Sequence, residues 1–223
     1  MKSMSDFIRA YSAGLASHDI APARKKYAPP VVVSREIGSG GRFVARALAE
    51  RLGFELCDKA ILEEIASKSK APKDLVEMLD EKPGRAMEVF GANLLHGVSM
   101  TREDYDRLLK ATIHALLDLG NVVILGRGAA FLAEPGKVLR LRLVAPFEMR
   151  VANLARYLNI DEHDARKQIH AIEEERHKFH LRLFGKGETS PENFDMGLNM
   201  QCLTIDDAVE LALDAYNRIC KKA

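Results

Sequence analysis

Four small residues, Gly38-Ser39-Gly40-Gly41, lie between the apolar run Val31-Val32-Val33 and a stretch of helical spacing, and Arg42 follows them at once. A glycine cluster at such a junction lets backbone N–H groups converge on an anion. The helix N-terminus adds about 0.3–1 kcal/mol per favourable charge. Glycine suits the turn because it accepts positive φ and lets backbone approach closely. The chemistry on offer is the holding of phosphate. The complete phosphate-loop signature is G-x-x-x-x-G-K-[ST]. Aligned on the following helix, Arg35 stands at the first glycine, Gly40 at the second, Gly41 at the lysine and Arg42 at the hydroxyl residue. Two readings stay open. Arg42 replaces a magnesium ligand, or, with one extra loop residue, it is itself the cation, since a guanidinium can clamp phosphate with two N–H groups. The plain alternative is a tight strand-to-helix turn with no ligand.

Other polar groups fall near the same place in the pattern. Asp58 follows a second strand-like segment, and Gly126-Arg127-Gly128 follows a third. Farther on, His163, His170 and His177 are spaced by seven, with His180, Glu173 and Glu174 nearby. Glu174 to His177 matches Glu-x-x-His, but a di-iron bundle needs a second such motif and two more glutamates, which the chain does not display. These residues read as a solvated, charged helix face, and no metal site is expected. Cys57, Cys202 and Cys220 are scattered, as reduced thiols of a cytoplasmic protein would be. No Ser-His-Asp or Cys-His signature stands out.

The elements that must position these groups follow from periodicity. Strands are expected at 31–33, 54–57, 121–125, 138–145 and about 195–199. Helices are expected at 42–52 with Gly53 as its cap, from 61 and through 68–82, less clearly at 85–100, from Thr101 to Gly120 with Asp104 closing a capping box, at 146–158, at about 162–180 capped by Asp161, and at about 205–221 opened by Thr204 and Asp207. The alternation of apolar strands with helices predicts an α/β fold, a doubly wound parallel sheet with helices on both faces. Ligands bind such sheets outside the strands' carboxyl ends, so the glycine loop, Asp58 and the Gly126–Gly128 turn should share one cleft. Arg140 and Arg142 alternate along the fourth strand and suggest an edge-like or partly covered strand with arginines paired to carboxylates. Packing against the N-terminal arm or a second subunit is the alternative.

The chain's 223 residues suffice for one sizeable core with a small lid, and a hydrophobic share of 47% with 29% charged is ordinary for a globular protein. A net charge of +1 supplies no global field toward nucleic acid or an anionic membrane. Residues 1–29 read as an N-terminal helical arm and linker, broken by Pro22, Pro29 and Pro30, that packs on its own domain or on a second subunit of a homo-oligomer. The arm has no run near the ~20 apolar residues of a membrane span. The main domain is expected over 30–223.

Together, "SREIGSGG", "LAERLGFELCDKAIL", "VVILGRGAAFL" and "LRLVAP" resemble the cytidylate kinase-like family of bacterial proteins, which is in turn similar to true cytidylate kinases. The resemblance covers roughly residues 31–220. It implies a P-loop kinase fold with a five-stranded parallel sheet and a helical lid over about 170–193. It also implies ATP and Mg²⁺ as cofactors, and transfer of the γ-phosphoryl group to a nucleoside monophosphate, most readily CMP or dCMP. By that resemblance Gly38, Ser39, Gly40, Gly41 and Arg42 cradle the phosphates, with Lys186 beside them. Arg35, Asp58 and Arg127 face the acceptor, and Arg176, Lys178 and Arg182 belong to the cationic lid. The departures are Gly41 for the loop lysine, Arg42 for the hydroxyl residue, and Leu125 for the aspartate that precedes "GR". They leave room for a weak or inactive nucleotide-binding regulatory protein on a kinase fold, or for a kinase with another small acceptor.

Overall fold

The computed structural model describes residues 28–59, 102–185, 187 and 190–220. The chain forms two compact units, one of residues 1–28 with 59–120 and one of residues 29–58 with 121–223. In the first unit the described helix is α2 (Arg102–Leu119), which keeps Leu108, Leu109, Ile113 and Leu116 buried on one stripe. Residues 1–27 of the expected 1–29 arm and linker and the segments at 61–100 lie outside the described residues, as do Thr101 and Lys186.

The second unit carries the sheet. In chain order it runs β1 (Val31–Arg35), α1 (Gly41–Leu52), β2 (Glu55–Cys57), β3 (Val122–Leu125), β4 (Leu139–Val144), α3 (Phe147–Leu158), α4 (Glu162–Phe184), β5 (Met196–Asn199) and α5 (Ile205–Cys220). Among the described residues the five strands form one parallel sheet in the order β2-β3-β1-β4-β5. β1 is central, with Val33 opposite Leu125 of β3 on one side and Leu141 of β4 on the other. The chain leaves β1 toward one edge and returns for β4 on the other side. That reversal opens a crevice at the carboxyl end of β1, where the glycine loop begins. The fold is the α/β one expected, a five-stranded parallel sheet with helices.

Alternation decides which face of the sheet a residue packs on, for Val32, Val122 and Ile124 are buried as well. Val31, Val33, Val123, Leu125, Leu139, Leu141 and Leu143 pack with Val44, Ala45 and Leu48 of α1 and with Ala208, Val209, Ala212 and Tyr216 of α5. α5 is capped as its sequence suggests, Asp207 N–H donating to Thr204 Oγ1 at 3.1 Å and Thr204 N–H to Asp207 Oδ2 at 2.9 Å. Asp161 likewise caps α4 by accepting from Asp164 N–H at 2.8 Å. The hydroxyl of Tyr216 donates to the Pro29 carbonyl at 2.8 Å and ties α5 to the entry of β1.

Two expectations need correction, the first only in part. β4 is no edge, since it pairs with β1 and β5, but Arg140 is paired to a carboxylate as expected. Its arginines are tolerated because partners come to them. Arg140 makes a two-pronged pair with Asp195, at 3.2 Å and 2.7 Å, and Asp195 also accepts the Arg140 backbone N–H at 2.8 Å. Arg142 donates to Ser34 Oγ at 2.7 Å and lies over the Phe194 ring at 5.5 Å. The second correction is His180, which is buried rather than solvated and meets Phe131 and Phe179 edge-on, at 5.8 Å and 5.6 Å between ring centres.

Candidate functional site

The glycine loop rises from the central strand and turns directly into α1. Gly38 and Gly40 have φ of +79° and +83°, the left-handed region that glycine enters without strain. A Cβ on Gly38 would collide with the backbone carbonyl of Arg150, so the loop lies flush against α3. Asn153 Nδ2 donates to the Gly38 carbonyl at 2.9 Å, and Ala145 N–H donates to Glu36 Oε2 at 3.1 Å. α1 opens on Gly40 with no side-chain cap, so its first amides keep the positive end of the helix available to an anion.

Ser39 does not face outward. It is 2% exposed, and its hydroxyl donates to the Glu36 carbonyl at 2.9 Å, which braces the turn from inside. Arg42 points away from the core and pairs with Asp58 at 3.1 Å. The loop cation and the carboxylate after β2, expected to serve different ligand groups, are thus in direct contact.

The remaining arginines gather at the carboxyl ends of β1 and β3. Gly126, Arg127 and Gly128 have φ of +82°, +54° and +68°, three left-handed residues in succession. For arginine that conformation costs about 1–2 kcal/mol, and strain of this kind gathers at functional sites. The turn aims Arg127 at the face of Phe179, 4.8 Å from its centre, and Arg182 approaches the same ring at 5.6 Å. A Cβ on Gly126 would strike the Arg35 guanidinium, and Arg176 donates to the Arg35 carbonyl at 3.1 Å. Arg35, Arg127, Arg176 and Arg182 are therefore brought together by α4 and the Gly126–Gly128 turn, while Arg42 pairs with Asp58. Lys178 is exposed on α4 and pairs with Glu174 at 2.6 Å.

The profile of the cytidylate kinase-like family matches residues 31–202. The chain belongs to the cytidylate kinase-like family. It is 28% identical over 185 residues to a cytidylate kinase of Pyrobaculum neutrophilum, covering 82% of this chain and 90% of that one. A cytidylate kinase of Pyrobaculum aerophilum is 25% identical over the same spans. In fold it is similar to the crystal structure of an uncharacterized protein from Eubacterium ventriosum, with a TM-score of 0.64 at 18% identity, covering 85% of this chain and 98% of that one.

The family implies a nucleotide and magnesium, and the loop fits them unequally. The uncapped start of α1 fits a phosphate group. A metal ligand from the loop does not fit, because Arg42 stands at the hydroxyl position and the Ser39 hydroxyl is turned inward. Among the described residues no group of three or more His, Cys, Asp or Glu side chains could hold a metal ion, and no helix is long and apolar enough to cross a membrane.

Sequence reasoning missed Glu36, Arg150, Asn153 and Phe179. Glu36 lies inside the quoted loop motif and could have been noticed. The others carry no local signal, because their roles come from partners far away in the chain.

Proposed function

We infer that this protein transfers the γ-phosphoryl group of ATP to a nucleoside monophosphate, CMP or dCMP. The observation that carries the reading is the strained Arg127 turn, which gathers Arg127 with Arg35, Arg176 and Arg182 beside the uncapped glycine loop. Phosphoryl transfer is mostly positioning and charge stabilisation, so a cationic crevice at a phosphate loop is the machinery the reaction asks for. In this reading the amides from Gly38 to Gly41 hold the donor phosphates and Arg42 neutralises them. Asp58, Arg35 and Arg127 hold the acceptor, and Arg176, Arg182 and Lys186 cover the transferring group. An oxygen of the acceptor phosphate forms the new bond to the γ-phosphorus as the bond to the bridging oxygen breaks, which leaves two nucleoside diphosphates. That oxygen is already anionic, so no strong base is required.

One observation favours a second reading. Arg42 is engaged by Asp58, and the loop's one hydroxyl, on Ser39, is turned inward, as suits a nucleotide-binding regulatory protein with weak or no turnover. An ADP-release assay across nucleoside monophosphates and other small acceptors, run beside calorimetric titration of ATP with and without magnesium, separates the two. Turnover of CMP or dCMP is the expected result. Binding without turnover of any acceptor favours the regulatory reading, and no ATP binding at millimolar concentration overturns both.

A further inference from the structure

Arg150 is buried, yet it is no acceptor or donor ligand in the reading above. Its Nε donates to the Ala145 carbonyl at 3.1 Å and lies 3.4 Å from Glu36 Oε2. Its Nη1 pairs with Glu173 of α4, and its guanidinium sits 5.3 Å from the centre of the Phe147 ring. The Arg150 side chain is 9% exposed while Glu36 and Glu173 keep 26% and 36%, so a buried guanidinium meets two partly exposed carboxylates.

The two carboxylates it joins belong to different parts of the site. Glu36 is the residue at which the chain leaves β1 for the glycine loop, and its carbonyl receives Ser39 Oγ. Glu173 lies one turn before Arg176, and Arg176 in turn donates to the carbonyl of Arg35. Two consecutive turns of α4 are therefore tied to two consecutive residues that launch the loop. One tie is direct, and the other runs through Arg150. The backbone of Arg150 completes the arrangement, because its carbonyl presses on Gly38.

We propose that Arg150 is a positioning residue that locks the glycine loop and the arginine-bearing helix α4 into one arrangement, resting on the phosphate-loop reading above. A guanidinium suits this post. Its planar fork reaches Glu36 and Glu173 at once, whereas a lysine ammonium on a flexible stem would satisfy only one of them well. Loosening the lock frees the loop even when the fold survives.

The test is made on the full-length protein without ligand. Amide hydrogen exchange at residues 38–42 is measured by NMR in wild type, Glu173→Gln, Arg150→Lys and the double variant, with Glu174→Gln as the neighbour control. Glu173→Gln keeps the shape of α4 and has no bond to the loop except through Arg150. It should raise loop exchange by about tenfold, the loss of one charged hydrogen bond. The Glu174→Gln control should leave the loop as it was. The double variant should add little to Arg150→Lys alone, since both break one lock. Unchanged loop exchange in Glu173→Gln, or full additivity in the double variant, overturns the proposal. Melting temperatures recorded beside these data identify general loosening, which would speed exchange throughout α1 and α5 as well and would also overturn it. ATP titration of wild type reads the kinase interpretation separately: its failure leaves the exchange result standing, and the reverse also holds.

Discussion

Arg42 and Asp58, sixteen positions apart, meet in an ion pair at 3.1 Å beside the glycine loop. The pair is largely solvent-exposed, with Arg42 at 57%, so it contributes little to stability, about 0–1 kcal/mol. Its consequence is for the ligand instead. A phosphate arriving at the loop competes with Asp58 for the one cation that follows the loop directly.

Arg42→Ala should weaken ATP or pyrophosphate binding by roughly tenfold to a hundredfold, as loss of a charged hydrogen bond does, with a nearly unchanged melting temperature. Asp58→Asn should move phosphate affinity the other way by releasing Arg42, while it lowers turnover with the acceptor. Calorimetry on the two variants checks the opposition. Unchanged phosphate affinity in Arg42→Ala would remove that residue from the site.

Gly38→Ala and Gly53→Ala both place a Cβ on a left-handed residue, but only Gly38 has a neighbour in the way. At Gly53 nothing lies within 4 Å, whereas at Gly38 the Arg150 carbonyl blocks the new atom. Gly53→Ala should lose about 1–2 kcal/mol from the backbone conformation alone. Gly38→Ala should lose more and should abolish phosphate binding, because the loop must lift off α3. Urea unfolding measures the first difference and phosphate titration the second.

Asp195→Ala strands Arg140 in a site where the arginine side chain is 11% exposed. Removing one partner of a buried pair typically costs about 3–5 kcal/mol. Adding Arg140→Met should recover much of it, since the lone charge is then gone. A double-mutant cycle by thermal unfolding tests this, and additive losses would show that the pair does not act as a unit.

Stability should fall on the alkaline side. Burial, then the charges of Glu55 and Asp58, push the Cys57 thiol up to about 12 from an ordinary 9.0. Burial, then Asp195, pushes Cys220 up to about 11, and burial, then Cys220, pushes Tyr216 up to about 12. In each case the folded state holds its proton longer than the unfolded one. Their contribution is complete below pH 9 and is lost as the pH climbs toward 11 and 12. Denaturant midpoints across that window should decline, and less steeply in Cys220→Ala. At neutral pH a thiol reagent should label Cys202 rapidly, and Cys57 and Cys220 only on unfolding.

Much of this molecule is written locally. The apolar runs at 31–33 and 122–125, the alternation at 139–144, the glycines that bracket α1 and the caps at Asp161 and Thr204 are short-range signals, and the sheet was legible from them. So was the placement of the loop, Asp58 and Arg127 each just after a parallel strand, because it follows from strand–helix alternation. Partner choice was not legible. Arg42 with Asp58, Arg140 with Asp195, Arg176 with the Arg35 carbonyl and Arg150 with Glu173 join residues between 16 and 141 positions apart. Side-chain periodicity decides which face a residue takes, but a charge pairs with whatever the crossovers deliver to it. The sequence determined by itself that a glycine loop would launch a helix from a buried parallel strand. Only the tertiary structure decided that Arg42 would meet Asp58, and that a buried Arg150 would join that loop to α4.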